Sequence, residues 1–133
     1  MKYELTPDLL TGNALIDTEH RQLFQAINQL TEDCEKGKGR DSLEKTADFL
    51  VSYVAKHFSD EERLQITSKY PAYSTHKQFH EGYKQKLSAA VEEIKQKGPT
   101  IATLGKFNGV VAILVSHIRV EDKRLAAHVK HKS

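Results

Sequence analysis

Residues 70–99 read YPAYSTHKQFHEGYKQKLSAAVEEIKQKGP, with Pro71 near one end and Gly98-Pro99 at the other. Proline suits the first turn of a helix, and glycine followed by proline ends one. Between these limits, one set of side chains recurs every three or four residues, the period of a buried helix face. Its members are His76, His80, Tyr83, Leu87, Ala90 and Ile94. The pattern predicts a helix with this stripe facing a core.

Similar signals divide the rest of the 133 residues into three more helical segments. Asp17 is the predicted N-cap of the first helix, which ends at the turn Gly37-Lys38-Gly39. Asp41 and Glu44 are the predicted capping pair of the second helix. The predicted helices cover residues 17–36, 41–66, 71–97 and 100–128, after an arm of residues 1–16. Four long helices with short connections predict an all-α fold, an up-down-up-down antiparallel four-helix bundle, as a single domain over residues 1–133.

Composition excludes several classes of protein. The net charge is only +2, with acidic and basic residues mixed along the chain, so a nucleic-acid partner is not expected. The single cysteine, Cys34, cannot form an internal disulfide. Neither a signal peptide nor a membrane-spanning segment is predicted, so we expect a cytoplasmic protein without a membrane partner.

Histidines and carboxylates continue the inward stripes of all four predicted helices. They lie early in the first and third helices and late in the second and fourth, so antiparallel packing collects them at one end of the bundle. The set comprises His20, His57, Glu61, His76, His80, His117 and Asp122. His128 and His131, in the tail HVKHKS, are predicted to be solvated instead.

Each group alone also fits a simpler interpretation. An inward histidine such as His20 fits a hydrogen-bonded core residue, and His57 with Glu61 fits a buried ion pair. Asp122 follows His117 by five residues, a rotation of about 140° in an α-helix. Together, however, five buried imidazoles and two carboxylates would be unfavourable without a cation. The set therefore predicts a metal centre.

Four spaced motifs carry a resemblance to a known family: His20, HFSDE at 57–61, HKQFH at 76–80 and HIRVED at 117–122. In this order they resemble the ligand pattern of the hemerythrin family. TGNALIDTEH at 11–20 and the YP before HKQFH are similar to its bacterial branch, the bacteriohemerythrins. The resemblance implies a non-haem di-iron centre that binds O2 reversibly. It implies one iron on His20 and His57, the other on His76, His80 and His117, and Glu61 and Asp122 as bridges.

Counting ligands then leaves room for O2. Two six-coordinate Fe ions offer about twelve positions, of which the imidazoles and bridging carboxylates fill about nine. A bridging oxo or hydroxo group leaves one position open, on the iron with two histidines, where O2 can bind as the irons pass from Fe2+ to Fe3+. Phe58, Leu114 and Ile118 are predicted to line the O2 pocket. Ile113 joins them, at a position where many relatives carry tryptophan.

The ligand chemistry favours an oxygen-binding protein over an enzyme. Ferritin-like di-iron oxidases use carboxylate-rich sites, whereas most ligands here are imidazoles, and no free acid, base or nucleophile is predicted in the pocket. We therefore predict no enzymatic activity. The alternatives are an O2 or redox sensor that acts with a separate partner, and a di-iron oxidase or peroxidase. A protein partner would be an oxidase or a signalling protein.

Overall fold

The computed structural model describes residues 3–37 and 40–132, and their helices confirm the predicted four-helix bundle. The helices are α1 (Ala14–Glu35), α2 (Arg40–Thr67), α3 (Tyr73–Lys97) and α4 (Ile101–His117), followed by a π-helical segment (Ile118–Asp122) and α5 (Lys123–Lys132). A 3-10 turn, Pro7–Leu9, precedes them. Consecutive helices pack against each other, and the described residues form no strand.

The first helix begins three residues earlier than predicted because Asn13, not Asp17, is its N-cap. The Asn13 side chain accepts a hydrogen bond from the backbone N–H of Ile16 at 3.0 Å. Asp17 lies in the first turn and accepts from the backbone N–H groups of Thr11 and Gly12 at 2.9 and 3.1 Å. Asp17 therefore fastens the arm to α1. Gly37 has a φ of 65°, and Lys38 and Gly39 of the predicted turn lie outside the described residues.

Two further helix starts also differ from the prediction. Helix α3 begins at Tyr73, since Pro71 belongs to the preceding turn, in which Tyr73 N–H donates to the Tyr70 carbonyl at 3.2 Å. Helix α2 begins at Arg40, which places Asp41 inside its first turn. The start of α4 is as expected, with Thr100 as an N-cap.

The fourth helix contains an irregularity that the sequence did not reveal. At Ile118–Asp122 the helix widens into a π-helical turn, in which residues five apart become neighbours. His117 and Asp122 consequently share one face, and the 140° offset of a regular α-helix does not apply. The helix then continues to Lys132, four residues beyond the predicted end.

The prediction that His128 is solvated is wrong. Its Nε2 donates to the backbone carbonyl of Ser68 at 2.7 Å, and its ring lies 5.2 Å from that of Tyr70. The bond ties α5 to the turn between α2 and α3. His131 is exposed, as predicted.

The N-terminal arm bridges the first and fourth helices. Tyr3 exchanges two hydrogen bonds of 2.8 Å with the side chain of Asn28 on α1, and its hydroxyl donates to Asn108 on α4 at 3.4 Å. Further along, Leu9 is buried in the main apolar core. A second, smaller cluster contains Ile16, Leu125 and Ala126. Along α1, His20 lies between Ile16 of the smaller cluster and Leu23 of the main core.

Candidate metal centre

All seven side chains proposed as metal ligands are buried, and they converge at one end of the bundle. Helix α1 contributes one of them, α2 and α3 two each, α4 one, and the π-helical segment the last. They are His20, His57, Glu61, His76, His80, His117 and Asp122.

Their ligating atoms form two groups, each compact enough to surround one ion. The first contains His20, His57, Glu61 and Asp122, and the second contains Glu61, His76, His80 and His117. Within each group one atom per residue lies within 4.8 Å of the others. Glu61 belongs to both groups.

Each of the two carboxylates directs one oxygen toward each group. Oε2 of Glu61 lies 3.1 Å from His57 Nε2, and Oε1 lies 3.2 Å from His80 Nε2. For Asp122, Oδ2 lies 2.9 Å from His20 Nε2, and Oδ1 lies 3.1 Å from His117 Nε2. Both side chains therefore have the geometry to bridge two neighbouring ions.

Two more acids hold the outer nitrogens of ligand histidines, and sequence reasoning missed both. Glu19, which is buried, accepts from His57 Nδ1 at 2.8 Å, and Glu62 accepts from His80 Nδ1 at 2.9 Å. Such bonds fix the ring so that Nε2 faces the metal, and they raise its basicity. Their positions give a weak signal, since each acid precedes or follows a ligand by one residue in the sequence.

Without metal, the buried carboxylates raise the pKa of His57 and of His76. Burial opposes charging His57, but the charge of Glu61 and the bond to Glu19 outweigh it and raise the pKa of His57 to about 10. Burial also opposes charging His76, but the carboxylates of Asp122 and Glu61, 3.2 and 3.6 Å from its Nε2, raise the pKa of His76 to about 9. Burial likewise disfavours ionised Glu61, yet His57 and the other imidazoles hold the pKa of Glu61 well below its usual range.

Buried atoms without a hydrogen-bond partner show that this donor set suits a cation. Nε2 of His57 and of His80, both oxygens of Glu61 and Oδ1 of Asp122 are all buried and unpartnered among the described residues. Nε2 of His76 and Nε2 of His117 face each other at 2.9 Å. Imidazole nitrogens and carboxylate oxygens are ligands that iron accepts, and one cation in each group would give these atoms partners.

A further buried amide lies beside this set. Gln65 is one turn beyond Glu61 on α2 and fully buried, and neither of its amide atoms has a partner among the described residues. Sequence reasoning did not select it, because glutamine is an uncommon metal ligand and no motif marks it.

The apolar surroundings include three of the four predicted pocket residues. Phe58, Leu114 and Ile118 are buried in the main core, and the Phe58 ring stacks on His80 at 3.8 Å between centroids. Phe79, which was not predicted, stacks on His117 at 3.8 Å. Ile113 is 38% exposed, because it lies one residue, or about 100°, off the inner face that carries Leu114.

Comparison with known proteins decides the family. Residues 11–129 match the Hemerythrin HHE cation binding domain. The chain belongs to the hemerythrin family. A bacteriohemerythrin of Pseudomonas aeruginosa is 30% identical over 125 residues, covering 93% of this chain and 79% of that protein. A myohemerythrin of Sipunculus nudus is 40% identical over 74 residues, or 55% of each chain. A bacteriohemerythrin of Campylobacter jejuni is 28% identical over 125 residues, covering 91% of this chain and 90% of that protein.

Membership of the hemerythrin family indicates which metal the two groups of ligating atoms would hold. Hemerythrins hold non-haem iron, and the family supports a general role in O2 binding. In this hemerythrin the HHE match spans every side chain of both groups.

Proposed function

We propose that this hemerythrin binds O2 reversibly at a non-haem di-iron centre and serves as an oxygen carrier, store or delivery protein in the cytoplasm. The observation that carries the proposal is the pair of carboxylates, Glu61 and Asp122, each with one oxygen toward either group of imidazoles. A single-ion site would not need two side chains arranged in this way.

The residues that would hold the irons follow from the two groups. His20 and His57 would bind one ion, and the three histidines of the second group the other, with Glu61 and Asp122 as bridges. When bound, the two irons would supply the two electrons that O2 accepts on binding and returns on release, one electron from each iron.

The chain itself orients the ligands and keeps water away. Glu19 and Glu62 would hold the rings of His57 and His80 with Nε2 inward. Phe58 stacks on one ligand ring, and Leu114 and Ile118 are almost completely buried. An apolar wall of this kind excludes the water and protons that would promote irreversible oxidation of the centre.

We propose binding, not catalysis, because the acids around the centre are already engaged. Glu19 is bonded to His57 and Lys56, and Glu62 is bonded to His80. Neither is left as a general acid or base for a substrate.

An absorption experiment with metal analysis tests the proposal. Iron-loaded protein is reduced, exposed to O2 and purged with argon, and visible spectra are recorded over several cycles. We expect about two irons per chain and a band that appears with O2 and disappears on purging. Glu61→Gln keeps the side-chain size but loses one bridging oxygen, so it should bind about one iron and lose the reversible band. A parent protein that takes up one ion, or whose band never reverses, would contradict the proposal.

A further inference from the structure

Gln65 is a buried amide whose hydrogen-bonding capacity is unused. It lies on α2, is 0% exposed, and neither its Nε2 nor its Oε1 has a partner among the described residues. An amide offers two N–H donors and an acceptor oxygen, and leaving them unpaired away from water is unfavourable. Buried polar groups normally have partners, so the amide of Gln65 requires an explanation.

The level of the bundle that contains Gln65 is otherwise apolar. Gln65, Leu125 and Ile16 each lie three or four residues from a proposed ligand along the chain, on the side away from the main core. Ile16 and Leu125 belong to the smaller apolar cluster, and Leu64 and Tyr70 pack against it. Packing alone would favour an apolar side chain at position 65. The reason for an amide must therefore come from the neighbouring polar centre.

Two ligand histidines also have an unpartnered outer nitrogen. The Nδ1 atoms of His20 and His76 are buried and have no partner among the described residues. Those of His57 and His80 are bonded to acids. An imidazole that binds a metal through Nε2 carries its proton on Nδ1, which then needs an acceptor. The loaded centre would therefore have two buried N–H donors for which the described residues show no acceptor.

The side of α2 on which Gln65 lies is the side that faces α3. Phe58 on α2 stacks on His80 of α3, with 3.8 Å between the ring centroids. Gln65 follows Phe58 by seven residues, which returns it to within about 20° of the same direction. Lys56, which contacts α1, points about 180° away from Gln65. Gln65 therefore faces α3 and not α1, the helix that carries His20.

Along α3, the ligand at the level of Gln65 is His76. Glu61 Oε1 lies 3.2 Å from His80 Nε2 and 3.6 Å from His76 Nε2. Gln65 is one turn beyond Glu61, and His76 is one turn before His80 on the antiparallel α3. Side chains lean toward the N-terminus of their own helix, which brings those of Gln65 and His76 toward each other. Tyr70 links the two residues as well, since its N–H donates to the Gln65 carbonyl at 2.9 Å and its ring lies 6.3 Å from that of His76.

We propose that Gln65 is a positioning residue for His76, with its amide oxygen as the acceptor for His76 Nδ1–H in the metal-loaded protein. Gln65 would then hold this ring as Glu62 holds that of His80. Because an amide is neutral, the bond would orient His76 but leave it a weaker electron donor than a histidine held by a carboxylate. The inference rests on the proposed metal centre and does not depend on O2 binding.

An anaerobic Fe2+ titration against a competing chelator, fitted to two sites, tests the proposal with Gln65→Met. Methionine is similar to glutamine in length but cannot accept this bond, so the affinity of the second group, which contains His76, should fall about tenfold. The first group should bind iron as in the parent. Leu125→Met is the matched control, because it places methionine at the same buried level without removing an amide. It should leave both affinities close to those of the parent.

Gln65→Glu is the conservative variant that should restore the bond. Its carboxylate keeps an oxygen at the same reach and adds a charge, so the iron affinity of the second group should equal or exceed that of the parent. In the metal-free protein the same carboxylate would be buried without a cation, so the chelated form of Gln65→Glu should melt at a lower temperature than the chelated parent.

Melting temperatures separate positioning from simple burial. Gln65→Met removes two unpartnered polar atoms, so its chelated form should melt at the same temperature as the chelated parent or higher. Its loaded form should melt lower than the loaded parent, since it loses the bond to His76 and binds iron less tightly. An amide that is only a buried polar group would instead give the same change in both forms.

The bond can also be observed without iron. In the Zn2+-loaded protein, which is diamagnetic, the Nδ1–H proton of His76 should resonate downfield in the NMR spectrum, as hydrogen-bonded imidazole protons do. The resonance should shift upfield in Gln65→Met and stay in place in Leu125→Met.

Three results would overturn the proposal. In Gln65→Met, the second group would bind iron as tightly as in the parent, or the chelated and loaded forms would melt higher by the same amount, or the first group would be weakened instead. The last result would make His20 the partner. A parent that takes up fewer than two irons would contradict the proposed di-iron function, and the His76 resonance of the Zn2+-loaded protein would still decide the role of Gln65.

Discussion

Removing the acid behind one ligand histidine should weaken one iron site and spare the other. In Glu19→Ala, His57 loses the 2.8 Å hydrogen bond that fixes its outer nitrogen. The ring can then rotate away from the position in which Nε2 faces Glu61 Oε2 at 3.1 Å. The second group of donors contains neither of the affected residues, so its geometry should persist.

The expected loss of iron affinity in Glu19→Ala can be estimated from the two partners of Glu19, His57 and Lys56. Loss of an acid behind a ligating histidine typically lowers metal affinity about 10–100-fold, or about 1.4–2.7 kcal/mol. Glu19 also bonds Lys56, but Lys56 is 59% exposed and keeps Asp60 at 2.9 Å. Because the Lys56 end of that pair is exposed to solvent, its loss should cost at most about 1 kcal/mol, so the change in affinity reports mainly on His57.

The assay is an anaerobic Fe2+ titration with a competing chelator, fitted to two sites. Glu19→Gln retains an oxygen that can accept from His57 and loses only the charge, so its effect should be smaller than that of Glu19→Ala. Glu62→Ala is the matched control, because it removes the equivalent bond to His80 and should weaken the second site instead.

Two outcomes would refute this reasoning. Equal weakening of both sites in both alanine variants would mean that the acids act through overall charge and not through individual rings. Unchanged affinity in Glu19→Ala would mean that packing alone holds His57.

Three other predictions concern stability. Chelation of iron should lower the melting temperature, because the buried ligands lose the cation that compensates them; identical melting of both forms would contradict this. For the metal-free protein, the raised pKa values of His57 and His76, about 10 and about 9 against an ordinary 6.5, make protonation stabilising. That contribution is complete below pH 6.5 and is lost as the pH rises through 9 to 10, so melting of the chelated form should fall over this window while the loaded form changes less. Leu114→Ala should lower the free energy of unfolding by about 3–5 kcal/mol in urea titration and speed autoxidation, whereas Leu114→Met should cost less than about 1.5 kcal/mol. Equal autoxidation in Leu114→Ala and the parent would assign the cover to Phe58 or Ile118.

Helical period was sufficient to predict the bundle and to group the seven donors. His57 and His80 lie on helix faces whose other residues are apolar. The helical period therefore predicts that both histidines are buried. The exact helix starts were not predictable in the same way. Asn13 and Asp17 are both good N-caps, and only the tertiary role of Asp17, which holds the arm, determines which of them begins the helix.

Other features depend on contacts that no local pattern records. Glu19 and Glu62 act across helices on His57 and His80, so their roles emerge only once α1, α2 and α3 are packed. His128 finds its acceptor in a turn sixty residues away. The π-helical turn was not predicted either, because Ile118–Asp122 contains neither the proline nor the glycine that would mark an irregular helix.

The π-helical turn has a consequence for changes in chain length. A chain lacking Val120 would keep both His117 and the following Asp122, now four residues apart, and a regular α-helix places that spacing on one face. Deleting one residue of the wider turn would therefore leave the Asp122 carboxylate on the same helix face as His117. The same deletion between His57 and Glu61 would swing the carboxylate by about 100°, away from the position in which its two oxygens face both groups. We therefore expect a one-residue deletion in this chain to be tolerated better between His117 and Asp122 than between His57 and Glu61.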